Sequence, residues 1–172
     1  MVETMTLIQD YAKHYDDLSN VFFEVNNLLC DGNVEELFVT CWLAKLNTKT
    51  GELNFVNAGH NPPLIKNNGK FEYLNTKPNL VLAAMEDMPY KLHSMQLNPG
   101  DEIFLYTDGV TEANDDYSGF YGEDRLKNIL NDYSNDDLNK IISYIEEDIN
   151  EFCNNHDRFD DITMFVMRYE KK

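Results

Sequence analysis

Apolar positions along the 172-residue chain change their spacing three times, and each change marks a change of element. Met5, Ile8, Tyr11, Ala12 and Tyr15 recur at the interval of an amphipathic helix. A second helix follows, capped by Asp16 or Asp17, with Leu18, Val21, Phe22, Val25, Leu28 and Leu29 on one face. After CDGN the period shortens. LFVTCWLAKL reads as a strand, and NTKTGELNFVNA folds back as a hairpin turning near Thr50-Gly51. PPLIKNNGKFEYL is a second hairpin, turning at Asn67-Asn68-Gly69. YKLHSMQLN alternates with a period of two, and Pro99-Gly100-Asp101 turns it into the buried run of IFLYTDGVTEA. Helices return in GEDRLKNILNDY and in a longer segment carrying Leu138, Ile141, Ile142, Ile145, Ile149 and Phe152 on one face. Ser134 and Asp137 are spaced as a capping box at the start of that second helix. DDITMFVMRY closes the chain with a strand. The order predicts an α+β fold, antiparallel strands covered by segregated helices, in a single domain over residues 1–172 with no repeat or linker.

Composition narrows the partners. Hydrophobic residues make up 42% of the chain, with ten Tyr and ten Phe, enough for a packed core and too many for disorder. A net charge of -17 excludes nucleic acid and anionic membrane surfaces as partners, since both demand a basic face. It repels phosphate as well, unless bound cations reverse the local sign. Cys30, Cys41 and Cys153 are odd in number and show neither disulfide nor zinc spacing, which fits a reducing cytoplasm. No stretch is long enough to cross a bilayer, and no signal peptide is visible. The chain opens directly into helix without a clear cap, the pattern expected of a segment cut from something longer.

Two acidic sites flank the most apolar strands. Asp108 follows IFLYT, and Asp160 and Asp161 precede ITMFVM. If those strands are antiparallel neighbours, the end of one lies beside the start of the other, and both sites meet at one end of the sheet. Converging carboxylates without a basic partner repel one another, a cost that a divalent cation removes. Oxygen-only ligands suit Mg²⁺, Mn²⁺ or Ca²⁺ and not zinc. The alternative is a tight turn, since Asp-Gly is a common turn dipeptide. Spacing leaves both open.

Other chemistry has less support. NDDYSGFYGEDR has the flavour of a calcium loop, but its twelfth position is Arg125 where a bidentate Glu is required, so a solvated acidic loop is expected. His60, in NAGHNPP, reads as a turn histidine packed beside Pro62 and Pro63. There is no G-x-S-x-G nucleophile elbow and no Gly-rich phosphate loop.

FVTCWLAKLNTKTGELNFVNAGHNPPLI, LNPGDEIFLYTDGVTEA, YGEDRLKNIL and DDITMFVMR occur in the order seen in SpoIIE/RsbU-type serine phosphatases. From about Leu37 to Arg168 the chain resembles these bacterial members of the metal-dependent type 2C protein phosphatases, and the two leading helices also fit. The resemblance implies a four-layer αββα sandwich with a binuclear Mn²⁺ or Mg²⁺ site at one end. There a metal-bound hydroxide attacks phosphoserine or phosphothreonine without a protein nucleophile. By position it makes Asp108 and Asp160 metal ligands, with Asp161 supporting the turn and Gly109 letting the chain turn sharply beside the cation. It also implies a phosphorylated protein substrate, such as an anti-sigma-factor antagonist, and an upstream sensory or receiver domain.

The departures are equally specific. The family carries an N-terminal Asp-Gly and a D-V-S-G-[KH]-G motif whose aspartates hold and bridge the metals, and neither occurs here. TKPNLVLAAM stands where a Gly-Leu-Pro-Leu-Gly-like segment is usual. The expectation is therefore an N-terminally incomplete phosphatase domain, inactive alone. Its open strand edges favour self-association, by edge pairing or by exchange of the N-terminal helices. The alternative is a pseudophosphatase or protein-binding module that kept the fold and lost catalysis.

Overall fold

The computed structural model describes residues 2–31, 33–114, 119–134, 137–153 and 161–171. Asp160 and part of the acidic 114–125 loop lie outside these described residues. In chain order the elements are α1 (Val2–Tyr11), α2 (Leu18–Cys30), β1 (Cys41–Leu46), β2 (Glu52–Ala58), β3 (Leu64–Asn67), β4 (Lys70–Tyr73), β5 (His93–Gln96), β6 (Glu102–Tyr106), α3 (Asp108–Thr111), α4 (Glu123–Asp132), α5 (Leu138–Phe152) and β7 (Met164–Arg168). They fall into two units, Met1–His60 with Lys77–Leu97 and the last two residues, and Asn61–Thr76 with Asn98–Glu170.

The first unit holds an antiparallel sheet in the order β1-β2-β5. Alternate residues of β2, Val56 and Ala58, bury against Leu18 and Phe22 of α2 together with Leu82 and Tyr90. Val21 and Val25 of α2 close over Ile8 of α1. Asp17 is the cap of α2, accepting the Ser19 N–H at 2.8 Å. Asn26, fully buried in α2, ties down the loop before β5. Its Nδ2 donates to the Met85 carbonyl at 2.8 Å, while its Oδ1 accepts from Ala83 N–H and the Tyr90 hydroxyl, each at 3.0 Å. These bonds hold Ala83 at φ +66°, a left-handed conformation that costs a non-glycine residue roughly 1–2 kcal/mol. The AGH turn is built the same way. Asn57 accepts from His60 N–H at 2.8 Å and donates to its carbonyl at 3.0 Å. Gly59 between them has φ +68° and leaves no room for a side chain, since a Cβ would stand 2.3 Å from Val81 Cγ1.

The second unit holds an antiparallel sheet in the order β4-β3-β6-β7. Leu126 and Leu130 of α4 and Ile141, Ile145 and Ile149 of α5 pack on Leu64, Phe71, Phe104 and Tyr106. Complete burial of each such side chain contributes about 1.5–3 kcal/mol. A row of charge crosses this sheet where Lys66, Glu102 and Arg168 stand opposite one another on β3, β6 and β7. Glu102 has no exposed surface, and its Oε1 accepts from Lys66 Nζ at 3.0 Å and Arg168 Nε at 2.9 Å. Lys66 also donates to the Ser134 carbonyl at the end of α4. The capping box expected of Ser134 and Asp137 does not form, because α5 starts at Leu138 with Asp137 in the cap position. Ser134 is buried, and Asp137 itself caps α5 by accepting the Asn139 N–H at 2.9 Å. Arg125 clasps α4 to α5, with Nε and Nη2 each 2.8 Å from the Asp148 carboxylate and the guanidinium over the Tyr121 and Phe152 rings.

Glu102→Gln leaves Lys66 and Arg168 without their counter-charge, and the expected loss is about 3 kcal/mol in urea unfolding. A loss below about 1 kcal/mol would place the row among ordinary surface pairs. The clasp predicts a pH dependence. Arg125 holds the Asp148 carboxyl below its ordinary 3.8, against an opposing push from partial burial. A depressed folded-state value stabilises the fold above the unfolded value and ceases to do so as pH falls through the folded one. Wild type and Asp148→Asn should therefore differ in stability at pH 7, and the difference should shrink as pH falls below the ordinary carboxylate value.

Candidate functional site

β6 is apolar through Ile103, Phe104, Leu105 and Tyr106, and it ends by delivering Thr107, Asp108 and Gly109 to the edge of the core. Its antiparallel pairing with β7, in which Tyr106 faces Met164, brings the chain leaving β6 beside the chain entering β7. Three hydrogen bonds clip the two together. Thr107 N–H donates to the Thr163 carbonyl at 3.0 Å, Thr163 N–H donates to the Thr107 hydroxyl at 3.0 Å, and that hydroxyl donates to the Asp161 carbonyl at 3.2 Å. Thr107 occupies the cap position of α3, yet its side chain makes no cap bond there, being committed to the 161–163 segment. Sequence reasoning passed over this threonine. Its signal was present, because Thr107 precedes Asp108 and Thr163 follows Asp160 and Asp161 at matching distances from the two strands.

Asp108 is the first residue of α3, with its side chain exposed and Oδ1 accepting the Gly109 N–H at 3.0 Å. Its carbonyl accepts from Glu112 N–H at 2.8 Å, so the strand passes into a helical turn and not into the tight Asp-Gly turn. Gly109 accordingly has another role than the one expected of it. Its φ lies outside the left-handed region, and what it supplies is space, since a Cβ would stand 2.6 Å from the Asp161 carbonyl oxygen. The structure thus brings Gly109 and Asp161 into contact and leaves Asp161 exposed on the same side-by-side segments as Asp108. Asp160 lies outside the described residues.

Among the described residues, no Lys or Arg forms an ion pair with Asp108. The donors at this end are oxygen atoms from carboxylate, carbonyl and hydroxyl groups, the set that suits a hard divalent cation. Among the described residues, no group of three or more His, Cys, Asp or Glu side chains gathers to hold a metal ion, so the described donors fit such a cation in kind but form only part of a ligand shell. His60 stays with the packed-turn role, its main chain held by Asn57 and its Nδ1 3.4 Å from the Thr40 hydroxyl. Among the described residues, no helix is long and apolar enough to cross a membrane.

The approach at Gly109 is testable. In Gly109→Ala the obstacle is a backbone carbonyl that cannot swing aside, so a loss of about 1–3 kcal/mol in stability is expected. Hydrogen exchange at the Thr163 amide should quicken as the clip to Thr107 opens. An unchanged Thr163 amide in a stable variant would show that the two segments can part without consequence.

Known proteins bear on this geometry. The SiaA-PP2C domain of Pseudomonas aeruginosa superposes with a TM-score of 0.83 over 98% of this chain and 68% of that one, at 19% identity. The phosphatase domain of the cell fate determinant SpoIIE from Bacillus subtilis, solved after presoaking with Mn, gives a TM-score of 0.69 over 98% of this chain and 74% of that one, at 18% identity. The mixed α/β fold with antiparallel sheets is therefore that of PP2C phosphatase domains, the class expected from the sequence. In sequence, the chain is 27% identical over 145 residues to the phosphoserine phosphatase RsbU of Bacillus subtilis, covering 83% of this chain and 42% of that protein. It spans less than half the length of the full-length relatives it matches. Residues 1–170 match the family of Stage II sporulation protein E (SpoIIE), and to that family the chain belongs.

Proposed function

We propose that this chain is the C-terminal part of a metal-dependent protein serine/threonine phosphatase domain of the SpoIIE type, and that Asp108 and Asp160 are metal ligands of its active site. The observation that supports this proposal is the clip of Thr107 to the 161–163 segment, which brings the chain around Asp108 beside Asp161 in a member of that family. The substrate is a phosphorylated regulatory protein, such as an anti-sigma-factor antagonist, in the cytoplasm, with an upstream sensory or receiver domain governing access.

Asp108 and Asp160 would hold Mn²⁺ or Mg²⁺, with Asp161 supporting the segment and Gly109 admitting it. A divalent cation bound there would activate water and neutralise phosphate charge. The residues of the chain do the positioning. Gly109 N–H orients the Asp108 carboxylate, and the Thr107 hydroxyl fixes the backbone at Asp161. A chain of net charge -17 offers the phosphate no attraction of its own, so affinity for it depends on the cation that these carboxylates recruit. Hydrolysis then breaks the P–O bond to the serine, water giving its hydroxyl to phosphorus and a proton to the leaving oxygen. The further aspartates of a binuclear site belong to the D-V-S-G-[KH]-G type of motif, which these 172 residues do not contain.

A second reading is a pseudophosphatase that binds a partner without turnover. Release of phosphate from a phosphoserine peptide in millimolar Mn²⁺ separates the two. The 172 residues alone should release none. A chain extended by its natural upstream coding sequence should turn over, and Asp108→Asn in that chain should lower the rate more than about 100-fold. Turnover indifferent to Asp108→Asn would remove Asp108 from the site. No turnover at any natural length would leave the pseudophosphatase.

A further inference from the structure

α3, which begins with Asp108, is a single helical turn, Asp108–Thr111. One turn fixes several backbone dihedrals for very few hydrogen bonds, so it does not keep its shape unaided. Contacts from other segments must hold it. At its start stands the clip of Thr107 to the 161–163 segment. At its end, two main-chain bonds join it to the chain entering α4. Gly122 N–H donates to the Thr111 carbonyl at 2.9 Å, and Tyr121 N–H donates to the Ala113 carbonyl at 2.8 Å. From there the path to Asp108 is short. The Asp108 carbonyl accepts from Glu112 N–H at 2.8 Å and from the Thr111 hydroxyl at 3.3 Å. The carboxylate accepts from Gly109 N–H, so its direction follows the backbone of this turn.

Tyr121 is itself anchored. Its ring is buried in the cluster formed with α4 and α5. It stands edge-on to Phe152 with centroids 5.6 Å apart, and the Arg125 guanidinium lies 5.2 Å over it. Its hydroxyl donates to Asp148 Oδ2 at 2.5 Å, the same oxygen that accepts from Arg125 Nε. Burial, reinforced by the bond to Asp148, pushes the phenol well above its ordinary pKa, so the hydroxyl stays a donor. A phenylalanine ring would fill the same space, and packing alone therefore has no need of the oxygen. What the oxygen adds is position, because it fixes the ring, and with it the Tyr121 main chain, against α5.

We propose that Tyr121, through its bond to Asp148, is a positioning residue for Asp108, bracing the end of α3 as the Thr107 clip braces its start. The proposal rests on the reading of Asp108 as a metal ligand. Groups behind a metal ligand control its orientation and hence the affinity of the site. Here that control runs from α5, through a tyrosine hydroxyl and two main-chain bonds, to the turn that presents the carboxylate.

The test uses the chain extended by its natural upstream coding sequence, with Mn²⁺ binding followed by the electron paramagnetic resonance of the free ion. Asp108→Asn is the reference and should weaken Mn²⁺ binding by more than about tenfold. Tyr121→Phe should weaken it by about threefold or more and raise the Mn²⁺ concentration for half-maximal turnover by the same factor. Turnover at saturating Mn²⁺ should stay within about twofold of wild type. A hydroxyl that served stability alone would lower the amount of folded protein and leave the Mn²⁺ affinity of the folded protein unchanged. In the metal-free 172-residue chain, hydrogen exchange at the Glu112 and Gly122 amides of Tyr121→Phe should quicken while the amides of β6 keep their protection. Mn²⁺ binding weakened by Asp108→Asn but indifferent to Tyr121→Phe would overturn this proposal and leave the metal reading standing. Absent binding in wild type, or binding unchanged in Asp108→Asn, would remove Asp108 from the site and the proposal with it.

Discussion

The antiparallel pairing of β6 with β7 is the interaction on which the rest of the second unit depends. Fifty or more residues of loop and helix lie between these strands in sequence, and closing so long a loop is entropically costly. The return comes from two rows of contacts. On the helix-covered face, Phe104 and Val166 meet under α4 and α5, and Glu102 binds Arg168 on one side and Lys66 on the other. A slip of one residue would turn Glu102 away from both cations and expose the apolar set, so the register has a large penalty against alternatives.

The same register determines what stands at the far end of the strands. With Tyr106 opposite Met164, the residues that follow one and precede the other must run side by side. Thr107 then uses its hydroxyl to bridge them, and Gly109 provides the gap in which the Asp161 carbonyl sits. Structural residues thus position acidic ones. The core end of the strand pair tolerates charge because it is neutralised internally, whereas Asp108 at the other end is left to solvent without an ion-pair partner among the described residues.

In the first unit, three asparagines do comparable work with neutral groups. Asn26, Asn57 and Asn79 each satisfy main-chain groups of a loop or turn, and Asn26 and Asn57 are almost wholly buried. Buried amides that are fully bonded specify a single loop conformation, because any other arrangement strands a polar group in apolar surroundings. This is how the loop residues tied down by Asn26, with Ala83 in a left-handed conformation, take a defined course within TKPNLVLAAM, the segment that stands where the resemblance implies a Gly-Leu-Pro-Leu-Gly-like one.

Much of the architecture was legible in the chain itself. Period-two runs located the strands, the three-to-four interval located the long helices, and the apolar runs ending at Asp108 and beginning after Asp161 announced a strand pair with acids at one end. Those signals are local, and local signals survive in one dimension. What the tertiary structure alone decided were roles set by neighbours distant in sequence. Ser134 and Asp137 have capping spacing, but in the fold Ser134 is buried with its carbonyl bonded to Lys66 from another strand, and Asp137 caps α5 alone. Asn131 looks like one more polar residue on a helix until β4 places Phe71 against it. Gly109 reads as a turn residue from its dipeptide, and only the arrival of Asp161 shows that the missing side chain, and not the freedom of φ, is what the position requires. Spacing along the chain determines which residues share a face, while the identity of the group across the gap is a property of the closed sheet.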